Sequence, residues 1–239
     1  MITFPSRRKR QQIKNALATM KFWATRSTRH PDHEEEKIFC IGRNKTGTTT
    51  MARVLDELGY RVAPQRYAEL LSDEYYLKNE FSPILRFCLF FNAFQDVPFS
   101  WPGTYRVIDR EFPNARFILT LRDTPDQWYE SLVRFHAKRL GSKGRIPTAD
   151  ELKASDYVRT GFMYRSKRIW RLTDRDLYDR KTLIQSYSDY NDEVKNYFSG
   201  RDGKLLVINV GNREDYRRLC RFLGKLPVRK NGFPRENPT

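Results

Sequence analysis

The sequence predicts an α/β protein: a single three-layer domain with a central, mainly parallel sheet flanked by helices. Three observations carry that prediction. Short apolar runs at residues 37–41, 116–121 and 205–208 have the length and composition of buried parallel strands. A segment of helical periodicity follows each run. With 239 residues, 39% of them hydrophobic and 14% aromatic, the chain can build one substantial core.

The stretch 38–51 organises the rest. A strand leads into Gly42-Arg43-Asn44-Lys45-Thr46-Gly47, a turn with no bulky apolar side chain. Thr48, Thr49 and Thr50 then open a helix whose Met51, Val54, Leu55 and Leu58 share one face. Threonines supply capping oxygens, and the free N–H groups and positive dipole end of such a helix favour an anion. Lys45 adds a point charge on the loop itself. The unit is P-loop-like in placement, but its order differs from a Walker A loop, where lysine follows the second glycine. Here Lys45 precedes Gly47.

Ahead of this unit, residues 1–33 form a basic extension, separate from a domain at 34–239. Arg7, Arg8, Lys9, Arg10, Lys14, Lys21, Arg26 and Arg29 precede the first acid, Asp32. Ile13, Leu17, Met20 and Trp23 or Ala24 recur at helical spacing. Two readings fit: a solvated helix packed on the domain, or an amphipathic helix on a membrane surface or polyanion.

After the first helix, Gly59 fits a C′ position and residues 60–62 a second strand. Residues 67–78 read as helical. Ser82 and Pro83 mark another helix start, and the apolar pattern predicts one buried helix over 84–94. Gln95-Asp96-Val97-Pro98 breaks it, and a short helix at 105–112 ends before Pro113. Beyond the strand at 116–121 stand Arg122 and Asp123. Thr124-Pro125-Asp126-Gln127 then reads as a capping box opening a helix through Trp128, Leu132 and Phe135. Residues 141–160 are polar and contain Gly141, Gly144 and Pro147, so they predict a loop or lid. Helices at 161–172 and 177–198, a strand at 205–208, a helix at 216–223 and an irregular tail complete the chain. In open α/β sheets ligands bind beyond the carboxyl ends of strands, where both the Gly42 loop and Arg122 fall.

Two motifs together carry a family resemblance. The order G-x-x-K-T-G-T-T after a strand is similar to the 5′-phosphosulfate loop of sulfotransferases that use 3′-phosphoadenosine 5′-phosphosulfate (PAPS). Phe117-Ile118-Leu119-Thr120-Leu121-Arg122-Asp123 with Trp128-Tyr129-Glu130-Ser131 resembles their 3′-phosphate motif. Arg122 and Ser131 stand nine apart where the family often has eight, with Thr124 as the extra residue. The close of the chain, through Phe233-Pro234-Arg235-Glu236-Asn237, is similar as well, and Arg229-Lys230-Asn231-Gly232 resembles a further 3′-phosphate segment.

The resemblance implies a PAPS-dependent sulfotransferase that needs no metal. Lys45 would hold the 5′-phosphate and then the bridging oxygen. Arg43, Asn44, Thr46, Gly47, Thr48, Thr49 and Thr50 would complete the 5′ site, and Arg122 and Ser131 would take the 3′-phosphate. Cytosolic members carry a catalytic histidine in a Thr-His-x-Pro segment. Asp96 occupies that place here and is the first candidate base, with Glu80, Asp109 and His136 behind it. The acceptor would be a hydroxyl or amine of a small molecule, carbohydrate or lipid, and the aromatics Tyr75, Tyr76, Phe90, Phe91, Phe99, Trp101, Tyr157, Phe162 and Tyr164 are candidates for its pocket. The alternatives are a P-loop kinase or NTPase, which wants lysine after Gly47 and Asp123 on magnesium, and a polyanion-binding module.

Composition is compatible with each. A net charge of +16, from 45 basic and 29 acidic residues, implies anionic partners. No recognition motif for nucleic acid is present, so no specific nucleic-acid partner is expected. Cys40, Cys88 and Cys220 are widely spaced, without metal-ligand or disulfide-framework spacing, which suits a reducing compartment. No apolar run follows Arg7–Arg10, and the longest, over 87–94, is too short to span a bilayer. The expectation is a cytoplasmic protein, with peripheral membrane contact through the extension as the second reading.

Overall fold

A computed structural model describes residues 6–234. In chain order these form α1 (Arg7–Thr28), β1 (Ile38–Cys40), α2 (Thr48–Glu57), α3 (Gln65–Glu74), α4 (Ser82–Cys88), β2 (Ala93–Gln95), α5 (Thr104–Glu111), β3 (Arg116–Thr120), α6 (Pro125–Arg139), α7 (Ala149–Ala154), α8 (Phe162–Ile169), α9 (Arg180–Tyr197), β4 (Leu205–Ile208) and α10 (Arg213–Phe222). Among the described residues the strands make one sheet in the order β2-β1-β3-β4. Every pairing is parallel: Phe39 lies between Phe94 and Phe117, and Ile118 aligns with Leu206.

Strand alternation sorts the core into two layers. Phe39, Phe94 and Phe117 form a row on one face, with ring centroids 4.5 and 5.8 Å apart. That face packs on Phe87 of α4, Tyr105 of α5, and Tyr190 and Val194 of α9. Ile38, Cys40 and Ile118 point the other way, onto Met51, Val54 and Leu55 of α2 and Tyr216 and Leu219 of α10. This is the three-layer α/β arrangement that the apolar runs predict. A third cluster, with Trp101, Trp128, Leu132, Leu152, Phe162 and Tyr187, joins α6, α7, α8 and α9.

The structure corrects three expectations. The helix read over 84–94 stops at Cys88, and Ala93–Gln95 is the strand β2. An apolar run does not by itself distinguish a buried helix from a buried strand. Asn92 makes the break: its Oδ1 accepts from the Arg61 N–H at 2.7 Å and its Nδ2 donates to Glu35 at 2.9 Å. The strand expected at 60–62 shrinks to one bridge between Val62 and Ala93. Residues 141–160 are not all loop, since Thr148 and Glu151 form a capping box that opens α7 and buries Leu152.

The sequence left open which face of α1 meets the domain. The helix forms, capped by Ser6. It turns Ala18 and Phe22 inward and leaves Ile13, Leu17, Met20 and Trp23 exposed. Phe22 stacks on Tyr67 with centroids 4.4 Å apart, and Asn15 Nδ2 donates to the Val158 carbonyl at 2.8 Å. A bulky aromatic with a preformed aromatic partner outweighs the longer but thinner aliphatic stripe. The family-like close of the chain is described only to Pro234; Arg235, Glu236 and Asn237 lie outside the described residues.

Candidate active site

A cavity of about 920 Å³ opens at the carboxyl end of the sheet, and the Gly42–Thr50 loop forms one wall. Two glycines make the loop possible. A Cβ on Gly42 would sit 2.0 Å from Thr120 Oγ1 and 2.5 Å from the Thr120 carbonyl oxygen, so only glycine passes this close over β3. Gly47 has φ +101°, and its Cβ would meet Val210 at 2.3 Å. Lys45 is also left-handed, at φ 71°. Within the turn, Thr46 donates its N–H and its hydroxyl to the Arg43 carbonyl at 3.2 and 2.6 Å. Its hydroxyl also bonds Thr120 Oγ1 at 2.6 Å.

The second sequence motif fastens the first. Arg122 Nε donates to the Lys45 carbonyl at 2.7 Å, and Trp128 Nε1 to the Asn44 carbonyl at 2.9 Å. One face of α9 braces both from behind: Ser186 accepts from Arg43 at 3.1 Å, Tyr187 OH accepts from the Arg122 N–H at 3.2 Å, and Tyr190 OH donates to the Ile41 carbonyl at 2.8 Å. With the loop carbonyls occupied, the first-turn N–H groups of α2 lack intrahelical partners, and Thr48, Thr49 and Thr50 line the cavity.

Three of the cavity's cations stand at the loop without a carboxylate at ion-pair distance among the described residues. Arg43 is buried, its guanidinium 3.6 Å from the Trp170 ring centroid and 4.6 Å from that of Trp128. Its Nε has no hydrogen-bond partner, and burial pushes its pKa down to about 9. Lys45 Nζ lies 4.3 Å over Phe135; burial, then Arg122 and Arg134, lower its pKa. Burial also lowers that of Arg122. An anion in the cavity would favour the charged form of each and raise these pKa values again.

Asp96 follows β2 at the same end of the sheet, in a left-handed conformation with φ 59°. Its Oδ2 accepts from Thr48 Oγ1 at 3.1 Å, whereas Oδ1 is buried without a partner. Burial raises its pKa, opposed by the Thr48 bond and the Lys45 charge. Two further titratable groups share the wall. Glu69 of α3 pairs with Arg66 at 3.0 Å, and burial pushes its pKa up to about 7. His136 of α6 shares a 2.8 Å hydrogen bond with Tyr178 OH through Nδ1, while Nε2 is buried and unpartnered. Burial, then Lys167 and Lys45, hold its pKa well below the usual histidine value, so it presents a neutral imidazole.

Of the residues named from the sequence, Arg43, Asn44, Lys45, Gly47, Thr48, Thr49, Thr50, Asp96 and Arg122 line this one cavity. Thr46 does not, being turned onto Thr120. Ser131 does not either: it is buried in α6, and its hydroxyl has no hydrogen bond among the described residues. Asp109 is committed to Arg201 at 2.7 Å, Arg229 pairs with Glu57, and Glu80 is off the wall. Asp123 accepts from Asn209. Among the pocket aromatics expected, Trp101, Tyr157 and Phe162 line the cavity, while Phe90, Phe91 and Phe99 belong to the sheet core. Tyr75, Tyr76 and Tyr164 lie off it. Sequence reasoning missed Glu69, Lys167 and Trp170, and the α9 brace. Phe162, Met163, Ser166, Lys167 and Trp170 have the spacing of one helical face, which is the signal that was there to find.

Fold and site together define an α/β protein with a cation-flanked loop, suited to an anion, between its first buried strand and the helix that follows. A family model described as a sulfotransferase domain matches residues 37–239. The chain belongs to this sulfotransferase domain family, which makes it a transferase enzyme of sulfuryl groups. No curated protein matches the chain by sequence.

Proposed function

We propose that the protein transfers the sulfuryl group of PAPS to a hydroxyl or amine of a small molecule, carbohydrate or lipid, and releases 3′,5′-adenosine bisphosphate. One observation carries this reading: Arg43, Lys45 and Arg122 converge beside the α2 N-terminus without carboxylate partners among the described residues. Such a cradle suits a donor bearing two phosphate groups and a sulfate. Those cations supply the charge that a metal would otherwise provide, so the reading requires none. The three cysteines are free and buried, which suits the cytoplasm.

The donor supplies an activated sulfur–oxygen bond. Lys45 stabilises the charge that develops on the leaving oxygen as that bond breaks. The α2 N-terminus and Thr48 to Thr50 hold the 5′-phosphate, while Thr46 shapes the turn. Arg122 offers its terminal nitrogens to the 3′-phosphate while its Nε keeps the loop in place. Asp96 takes the acceptor proton as the new bond from sulfur to the acceptor oxygen or nitrogen forms, and its raised pKa suits a base. The unpartnered Nε2 of His136 supports a second reading of the base.

Isothermal titration with 3′,5′-adenosine bisphosphate, beside ATP with and without magnesium, tests the donor. Metal-independent micromolar binding that is lost in folded Lys45→Ala and Arg122→Ala proteins is the expected outcome. Binding of ATP alone, and only with magnesium, would overturn it in favour of a kinase-like enzyme.

A further inference from the structure

The outward face of α1 has no protein covering it among the described residues. Ile13, Leu17, Met20 and Trp23 are 46, 59, 66 and 52% exposed, and Ala16 and Ala24 lie on the same side. Together they make a continuous apolar stripe along the helix. The inward face is already committed to the domain through Phe22 and Ala18, so the stripe cannot be buried by rolling the helix. An uncovered apolar stripe on a helix calls for an occupant.

The flanking charge says which. Lys9, Arg10, Lys14, Lys21 and Arg26 are all exposed, and none forms an ion pair among the described residues. No Asp or Glu occurs before Asp32. Arg26 rests 4.8 Å from the Trp23 ring centroid, at the end of the stripe. Aliphatic residues, an edge tryptophan and uncompensated lysines and arginines form the pattern of a helix lying in an anionic lipid interface. We propose that α1 docks the protein on the surface of an anionic phospholipid membrane. The stripe enters the headgroup–acyl boundary and the cations face the headgroups. Asn15 holds the carbonyl of Val158, the chain neighbour of Tyr157 on the cavity wall, so the docked helix lies one residue from that wall.

Co-sedimentation of the full chain with vesicles tests this, whatever the donor proves to be. Phosphatidylcholine–phosphatidylserine vesicles should carry the protein down, and phosphatidylcholine alone should not. Leu17→Glu/Met20→Glu should lose at least about tenfold in binding. Lys14→Glu/Lys21→Glu should also lose about tenfold or more, at roughly fivefold for each charge. Arg175→Glu/Lys181→Glu, a matched change at exposed positions away from α1, should stay within about twofold. Trp23 emission should shift to the blue on binding, and Trp23→Phe should abolish the shift while keeping most of the binding. Thermal melts establish that each variant is folded. Absence of wild-type binding would overturn the proposal. So would retention by Leu17→Glu/Met20→Glu when the charge variant fails, since that is plain attraction to a polyanion. A dimer seen by light scattering and dissolved by Leu17→Glu/Met20→Glu, without vesicle binding, would assign the stripe to a second copy instead.

Discussion

On the loop side of the cavity, the carbonyls of Asn44, Lys45 and Ile41 each accept from a fixed side chain of α6, the β3–α6 junction or α9. On the opposite side, made by α3, α6 and α8, Lys167 donates to the Leu177 carbonyl at 3.1 Å and lies 4.3 Å from the Tyr178 ring centroid, and His136 Nε2 has no hydrogen-bond partner among the described residues. Burial pushes the Lys167 pKa down to about 7. The loop side is built to hold one charge distribution in one place. The other side is a patchwork of buried groups with spare hydrogen-bonding capacity, which suits a wall that meets different chemistry. Under the proposed function, the contrast separates two tasks, gripping a donor and meeting an acceptor.

The sharpest way to break that contrast is at its seam, where Asp96 touches Thr48. Asp96→Asn should slow transfer by about 10²–10⁴-fold, measured as single-turnover rate with PAPS, while bisphosphate binding persists. The acid limb of the wild-type rate profile should lie above the usual carboxylate range, because the folded pKa is raised, and the Asn variant should lack it. Stability should move the other way. A raised folded pKa makes the ionised form unfavourable at neutral pH, so Asp96→Asn should melt higher at pH 7. The gain should fade as pH falls below the ordinary carboxylate pKa, where both states are protonated.

Lys45→Ala should cost about 10²–10³-fold in the same rate and weaken bisphosphate binding as well. Gly42→Ala should lose about 1–3 kcal/mol or more in chemical denaturation, since the new Cβ meets Thr120 backbone as well as side chain. Trp128→Phe removes one donor from the loop and should weaken bisphosphate binding by about fivefold, near 1 kcal/mol. The smallest effect is expected from across the cavity. Tyr157→Phe should leave bisphosphate affinity unchanged within about twofold and raise the acceptor KM a few-fold. A Tyr157→Phe protein with impaired nucleotide binding would show that the two sides are not separate.

Much of the loop side was legible before any coordinates. Gly42, Lys45 and Gly47 announce a turn, the threonines a helix start, and Arg122 a strand end. The Thr124–Gln127 box was legible too, with one change: Thr124 accepts from the Gln127 N–H at 3.1 Å, but Gln127 reaches back to the Asp123 N–H at 3.0 Å rather than to the cap. Less legible were β2, hidden in an apolar run, and α7, whose Thr148-x-x-Glu151 signal sits in polar sequence. The side of α1 that faces the domain was not legible, since its aliphatic spacing fits a buried or an outward stripe equally.

By itself, the sequence determined the parallel α/β class and the place and charge of the Gly42–Thr50 loop, because strand burial, glycine turns and helix starts are set by neighbours along the chain. Only the tertiary structure decided that Thr46 turns inward, that Ser131 is off the cavity, that α9 braces the loop, and that α1 shows its apolar stripe to the outside. Those outcomes depend on which surfaces meet across distances of 70 residues and more, as from Thr46 to Thr120 or Asn15 to Val158, and local periodicity carries no information about the partner.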